Sequence, residues 1–550
     1  MRGLVFSICL VLAAGPALGA DRVLRVTFQA AETGFDPVKV SDYYSGSVIE
    51  AIFDPLLTYD YLARPAKLVP NTAVDLPQVT DGGRTYTLRI RPGIYFSSDP
   101  AFKGKRRELT AADYAYSLGR FLDPKNRSPY AFQFAGIAAL ETPERHTLRI
   151  RLKEPDLNFP HLLATQISGA VAREVIEAYG EDSNSHPVGS GPFVLAKYVR
   201  SSKIVLRSNP DYRKRLWEGR KIPSIDGVEI SIMEETQSRW LAFQRGETDI
   251  EYQLWDIAPT YMTPAGALRP EFARRGIKLD RSIDTEITYH YFNTQERIGD
   301  RPNPLGGFSD EKRALRRAIA MSYKMDDQIR IIRKGQATRA EYPIPPGAAG
   351  HEPDFRLATR YDPQLANALL DRYGYRKGPD GYRTLPDGQP LLVRYASLPN
   401  ERDRQFDELW KRSLDSIGVR MEVEKGTFPE LNKLENQCRL MMRSAAWIAD
   451  YPDGDNFMQL LYGPNSGQSN NACYRSAEYD RRYEKSRRLP DGAARSKLYR
   501  EMTRIMEVDG AWLLADSRYR NALLQPRVTG YKKHPVLATV EWLYLDLIEQ

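Results

Sequence analysis

Cysteine is scarce in this chain of 550 residues, with three in all, at Cys9, Cys438 and Cys473. So few exclude a disulfide-dense scaffold, and no CxxC pair is present for redox or zinc chemistry. Histidine is nearly as rare. The six, at His146, His161, His186, His290, His351 and His534, stand apart from one another and make no metal-ligand spacing. HExxH, GxSxG, Walker A and GxGxxG are all missing. Asp450, Asp453 and Asp455 lie close together, but without the spacing of an EF-hand loop. Long apolar runs are absent beyond the N-terminus, and with 27% charged residues and a mean hydropathy of -0.52 the chain reads as globular. The net charge of +8 is thinly spread. Basic clusters such as 103–107 and 481–488 are broken by neutral or acidic residues, so no nucleic-acid stripe forms.

What is present begins with Arg2, an apolar run from Leu4 to Ala14 and small residues up to Ala20. This is the layout of a secretory signal peptide over residues 1–20. The run is well short of the roughly 20 residues a membrane-spanning helix needs. Export through a membrane leaves Cys438 and Cys473 in an oxidising compartment, where pairing them is plausible chemistry; two free buried thiols are the alternative.

Strands are expected where apolar residues alternate: Thr85 to Arg91, Thr147 to Lys153, Val228 to Met233 and Val419 to Val423. Helix starts are marked by Thr110 with Asp113 in a capping box and by Asp362 with Pro363 behind it. A helical pair is expected across Ser309 to Lys334, with further helices near 403–417 and 493–508. The interleaving points to mixed α/β domains, and 550 residues exceed one hydrophobic core.

Four ordered motifs resemble the periplasmic oligopeptide- and dipeptide-binding proteins of ABC importers, the extracellular solute-binding proteins of family 5. They are YTLRIRPGIYFSSDPAFKGKRRELTAADYAYSLGRFLDP at 86–124, PVGSGPFVLAKY at 187–198 with Asn209-Pro210-Asp211-Tyr212, YFNTQ at 291–295, and WIADYPDGDNF at 447–457. Val528-Thr529-Gly530-Tyr531 is also similar. The resemblance implies an α/β fold of two lobes with an extra domain in the first. The first lobe would take residues 21–63, 189–287 and 521–550, the extra domain 64–188, and the second lobe 288–520. It further implies a monomeric receptor without cofactor or catalysis, which closes on a small peptide and delivers it to permease subunits in the membrane.

In peptide-binding members the acidic residue of the W-x-A-D-Y stretch pairs with the ligand's α-ammonium group, which here is Asp450. Trp447 and Tyr130 are expected as walls of the site, and Ser41, Asp42 and Tyr43 as a segment pairing with an extended ligand backbone. Tyr252, Trp255, Tyr289 and Tyr291 are weaker candidates. Two departures bear on the ligand: Phe53-Asp54-Pro55-Leu56 replaces the usual Y-E-G-L, and only Arg443 approximates the expected carboxylate-binding arginine. Same-fold receptors for glutathione, metal chelates, opines or sugars, an exported hydrolase and a periplasmic chaperone are the competing readings.

Overall fold

A computed structural model describes residues 22–548 apart from residue 214. The expected leader and Cys9 lie outside the described residues. Among those described, no helix is long and apolar enough to cross a membrane.

The alternating segments near the N-terminus form a four-stranded sheet in the order Gln78–Thr80, Thr85–Arg89, Thr147–Leu152, Ile137–Glu144. Tyr86 lies opposite Ile150 and Leu88 opposite Leu148, so one face of the sheet is apolar. The helix Ala111–Leu122 covers that face with Tyr114, Leu118 and Phe121. Its start is fixed by the expected capping box, in which Thr110 and Asp113 hydrogen-bond reciprocally. The cap at Asp362 also forms and opens the helix Pro363–Arg372.

A sheet of twelve strands carries the rest. Five of its strands matter most: β1 (Val23–Phe28), β2 (Lys278–Ile283), β3 (Glu286–Phe292), β4 (Met442–Ile448) and β5 (Trp512–Leu524). One lobe is built around β1 and its parallel neighbour Gly227–Ile232, the other around β3, β4 and Leu392–Ser397. Strand β5 belongs to both. Residues Trp512–Asp516 pair with β3, and Tyr519–Leu524 pair with β2.

The sequence of β5 explains how it can serve both lobes. Its apolar ends, Trp512–Ala515 and Ala522–Leu524, are buried in separate cores, while Asp516 to Asn521 between them is polar. Each buried charge of this middle finds a partner. Arg520 pairs with Asp284 at 2.8 Å, Arg518 pairs with Glu286, and Asp516 pairs with Arg333 at 3.3 Å. Burying charges without such pairing would cost several kcal/mol per ion.

One expected helical pair is altered. Asp310–Ser322 forms, but the following segment is a short turn and then the π-helical Gln328–Ile332. The wide turn sets Gln328 in the interior, where it accepts from Tyr323 Oη at 2.7 Å, donates to Asp516 and meets His290 Nε2 at 3.0 Å. His290 also accepts from Trp410 Nε1 at 3.3 Å, and burial lowers its pKa to about 4. It is a neutral core residue.

Cys438 and Cys473 are joined in a disulfide that closes a loop of 35 residues. The loop contains β4 and the whole stretch from Trp447 to Phe457. The chain-entropy relation puts its contribution at about 4 kcal/mol. The Cys438→Ser/Cys473→Ser double variant is therefore expected to unfold at lower urea concentration than the parent under oxidising conditions, with the difference disappearing in reductant; equal midpoints under both conditions would contradict this.

Candidate functional site

At the end of β4 the chain turns through Ala449 and Asp450 into the short helix Asp455–Met458. Asn456, fully buried, ties this turn together. Its Oδ1 accepts from Trp447 Nε1 at 2.9 Å and from the Asp450 backbone N–H at 3.0 Å, and its Nδ2 donates to Asp450 Oδ2 at 3.3 Å. One amide thus fixes both the tryptophan and the aspartate.

The other partner of Asp450 comes from beside the four-stranded sheet: Gln133 Nε2 donates to its Oδ2 at 2.8 Å. Burial raises the Asp450 pKa to about 6, partly opposed by these two amide donors. Among the described residues no cation pairs with it. Tyr130 lies three residues before Gln133, half-buried, and its hydroxyl feels the charges of both Asp450 and Asp42; burial first, then these charges, hold it well above the phenol range. Tyr130, Asp42 and Asp450 therefore share one region between the lobes.

Ser41 and Tyr43 are exposed beside it. Asp42 is not free to meet a ligand with its carboxylate. Its Oδ1 caps the helix Tyr43–Ile52 through the Ser45 N–H at 2.7 Å, and Oδ2 accepts from Thr33 Oγ1 at 2.5 Å. Tyr252, half-buried, donates to Glu541 at 3.3 Å and lines a small cavity with Tyr43 and Arg520.

Tyr289 and Tyr291 correct the sequence expectation. Both are at most 1% exposed, because β3 lies between β4 and β5 with both faces covered. Tyr289 stacks on Trp512 with ring centroids 3.9 Å apart. They are packed in the core. Arg443 is likewise committed, paired with Glu435 at 3.1 Å. Asp453 accepts from Arg495 at 2.7 Å and Asp455 from Tyr451 Oη at 2.7 Å. Among the described residues no group of three or more His, Cys, Asp and Glu side chains is arranged to hold a metal.

Beyond Arg443, no described strand pairs with β4 on the side away from β3, since Leu392–Ser397 reaches only Met442 and Arg443. The backbone from Ser444 to Ile448 thus presents an open strand edge beside Trp447. Around this edge the lobes meet. Arg487 pairs with Asp156, Arg495 Nη1 donates to Asn158 Oδ1 at 2.9 Å, and the His161 ring stacks on Tyr451 at 5.7 Å. These contacts and Gln133–Asp450 hold the four-stranded unit against the lobe built on β3 and β4.

Two lobes joined by crossing strands and meeting over an open strand edge define the class of two-lobed binding proteins. The chain belongs to the bacterial extracellular solute-binding proteins, family 5, whose profile matches residues 67–469. It is 28% identical to di/tripeptide-binding protein 2 of Pseudomonas aeruginosa, over 96% of each chain. It is 26% identical to heme-binding protein A of Haemophilus influenzae, over 83% of this chain and 80% of that one. Its fold matches the periplasmic binding protein DppA of Helicobacter pylori in complex with the peptide STSA, with a TM-score of 0.79, 22% identity and coverage of 96% and 98%.

Neither Gln133 nor Asn456 was a sequence candidate. Asn456 lies inside WIADYPDGDNF and could have been weighed with its neighbours; Gln133 carries no comparable signal.

The raised pKa of Asp450 has a consequence for the unliganded protein. A carboxyl whose folded pKa exceeds its unfolded value contributes stability that is complete below about pH 4 and is lost as pH rises through about 6. Asp450→Asn keeps the acceptor for Gln133 and Asn456 but cannot ionise. It is expected to be more stable than the parent at pH 8, by up to about 3 kcal/mol, and equal to it below pH 4. Urea unfolding across this range reads the difference, and parallel pH profiles would show that Asp450 carries no desolvated charge.

Proposed function

We propose that the chain is a periplasmic receptor, exported by a cleavable signal peptide, that binds short peptides between its lobes and delivers them to an ABC permease. It acts as a monomer, binds without transforming its ligand, and needs no cofactor. Residues 64–188 form the extra domain on the first lobe, and 288–520 the second lobe.

The observation that carries this reading is Asp450: a desolvated carboxylate facing the lobe interface with amide donors and no cation. The α-ammonium group of a peptide supplies the missing charge. The open edge of β4 from Ser444 to Ile448 supports an extended ligand backbone on that side, and Ser41, Asp42 and Tyr43 offer backbone from the other lobe. Backbone pairing of this kind recognises a peptide without reading its side chains. Trp447 and Tyr130 would wall the ligand's first residue, with Tyr252 further along. The named specificity of the Pseudomonas relative and the peptide bound to the Helicobacter protein favour the same solute class.

Purified protein mixed with di- to pentapeptides should unfold at higher temperature, since a ligand at about 100 times its Kd adds roughly 2.7 kcal/mol. A free amino terminus requires Asp450 ionised. Affinity should therefore be highest between about pH 6 and pH 7.5 and fall about tenfold per unit below pH 6, whereas an N-acetylated peptide should show no such fall. Asp450→Ala should weaken free peptides by about 2 to 5 kcal/mol and should not weaken acetylated ones. Stabilisation by haem or an opine and by no peptide would replace the solute class.

A further inference from the structure

A cavity of about 320 Å³ has Gln133 in its lining, as well as bonded to Asp450, and lies between residues 132–162 on one side and 451–487 on the other. It is far larger than the ~10–15 Å³ that a bridging water occupies and falls at the small end of ligand sites. Four buried polar atoms of its lining have no hydrogen-bond partner: Gln133 Oε1, Asn158 Nδ2, Asp455 Oδ1 and Arg487 Nε. Asn158 and Asp455 are only 5% and 4% exposed. Buried polar atoms left unpaired cost about 1–3 kcal/mol each, so a cluster of four calls for an explanation.

Their chemistry is ordered. Each wall contributes one donor and one acceptor: Asn158 Nδ2 and Gln133 Oε1 from the first lobe, Arg487 Nε and Asp455 Oδ1 from the second. The amide orientations follow from their other bonds. Arg495 can only donate, so the Asn158 atom facing it is oxygen, and an ionised Asp450 can only accept, so the Gln133 atom facing it is nitrogen. A simple anion would leave Asp455 unmatched beside Asp156 and Glu154, and a simple cation would leave Arg487 and Asn158 unmatched.

We propose that this cavity is a second binding site, for a zwitterion the size of a free amino acid. Its carboxylate meets Arg487 Nε and Asn158 Nδ2, and its ammonium meets Asp455 Oδ1 and Gln133 Oε1. Because both lobes build the site, its occupant binds only the closed protein and favours closure; by linkage, whatever closes the main cleft tightens it in return.

Gly136 offers the test. It lines the cavity at the exposed rim, and a Cβ there would meet nothing within 4 Å, without the strain of a positive φ. Gly136→Phe should fill the cavity without disturbing the fold. Calorimetric titration of the parent with each of the twenty common L-amino acids, with and without saturating tri-alanine, is expected to find at least one that binds one per chain in both conditions. Its N-acetyl and amide derivatives should bind at least tenfold more weakly. Gly136→Phe should abolish this event and leave tri-alanine binding intact; Asp455→Asn should weaken it at least tenfold. No binding by any amino acid would make the cavity a water pocket and overturn the proposal. So would one-for-one competition with tri-alanine, or binding that survives Gly136→Phe. If tri-alanine itself fails to bind, the peptide reading falls while the titrations without it still decide the second site.

Discussion

A carboxylate can be buried between two lobes only if something replaces the water it loses. The structure meets this requirement repeatedly with arginine. Asp284, Glu286 and Asp516 along the crossing strands have Arg520, Arg518 and Arg333, and Asp156 and Asp453 at the lobe interface have Arg487 and Arg495. These pairs let the polar middle of β5 run through the junction and let the lobes meet over charged residues. Asp450 breaks the pattern, since its donors Gln133 and Asn456 are neutral. The pairing rule that organises the junction is what makes its exception legible as a site.

The same rule sets opposing pH dependences. Asp450 and Asp453, both raised to about 6 by burial, favour the folded protein when protonated, a contribution lost as pH rises through 6. His161 and His290, both lowered to about 4 by burial, favour it when neutral. Their contribution is complete above about 6.5 and is lost as pH falls toward 4. Between these limits the slopes work against each other. His161 lies where they meet, its Nδ1 2.9 Å from Tyr59 Oη and its ring against Tyr451 of the opposite lobe.

The sequence carried the local structure well because caps and alternation are local properties. The Thr110 box and the Asp362 cap form as their side chains dictate, and Arg420–Lys425 appears where Val419 to Val423 alternates. It carried the site less well. Tyr289 and Tyr291 alternate along β3 like lining residues, but a strand with neighbours on both sides and cover on both faces buries either register, and periodicity cannot report that. Gln133 is 317 residues from Asp450 and has an amide that nothing local distinguishes. The π-helical Gln328–Ile332 escaped for a similar reason: its cause is the distant pair His290 and Asp516, not its own residues.

On the proposed reading, the isolation of Asp450 also couples ligand to motion. Gln133 reaches Asp450 from across the interface, so the desolvation that raises its pKa depends on the two sides meeting, and opening would return water to the carboxylate. A rise of about two units corresponds to nearly 3 kcal/mol. Above pH 6, closing on an empty cleft carries up to that penalty, a bias of roughly a hundredfold toward the open form. Closing on an ammonium group carries none of it, because the ligand's charge takes the place of the lost water. Neutral solutes cannot lift the penalty however well they fit, so the residue that chooses the ligand also decides whether the lobes stay together.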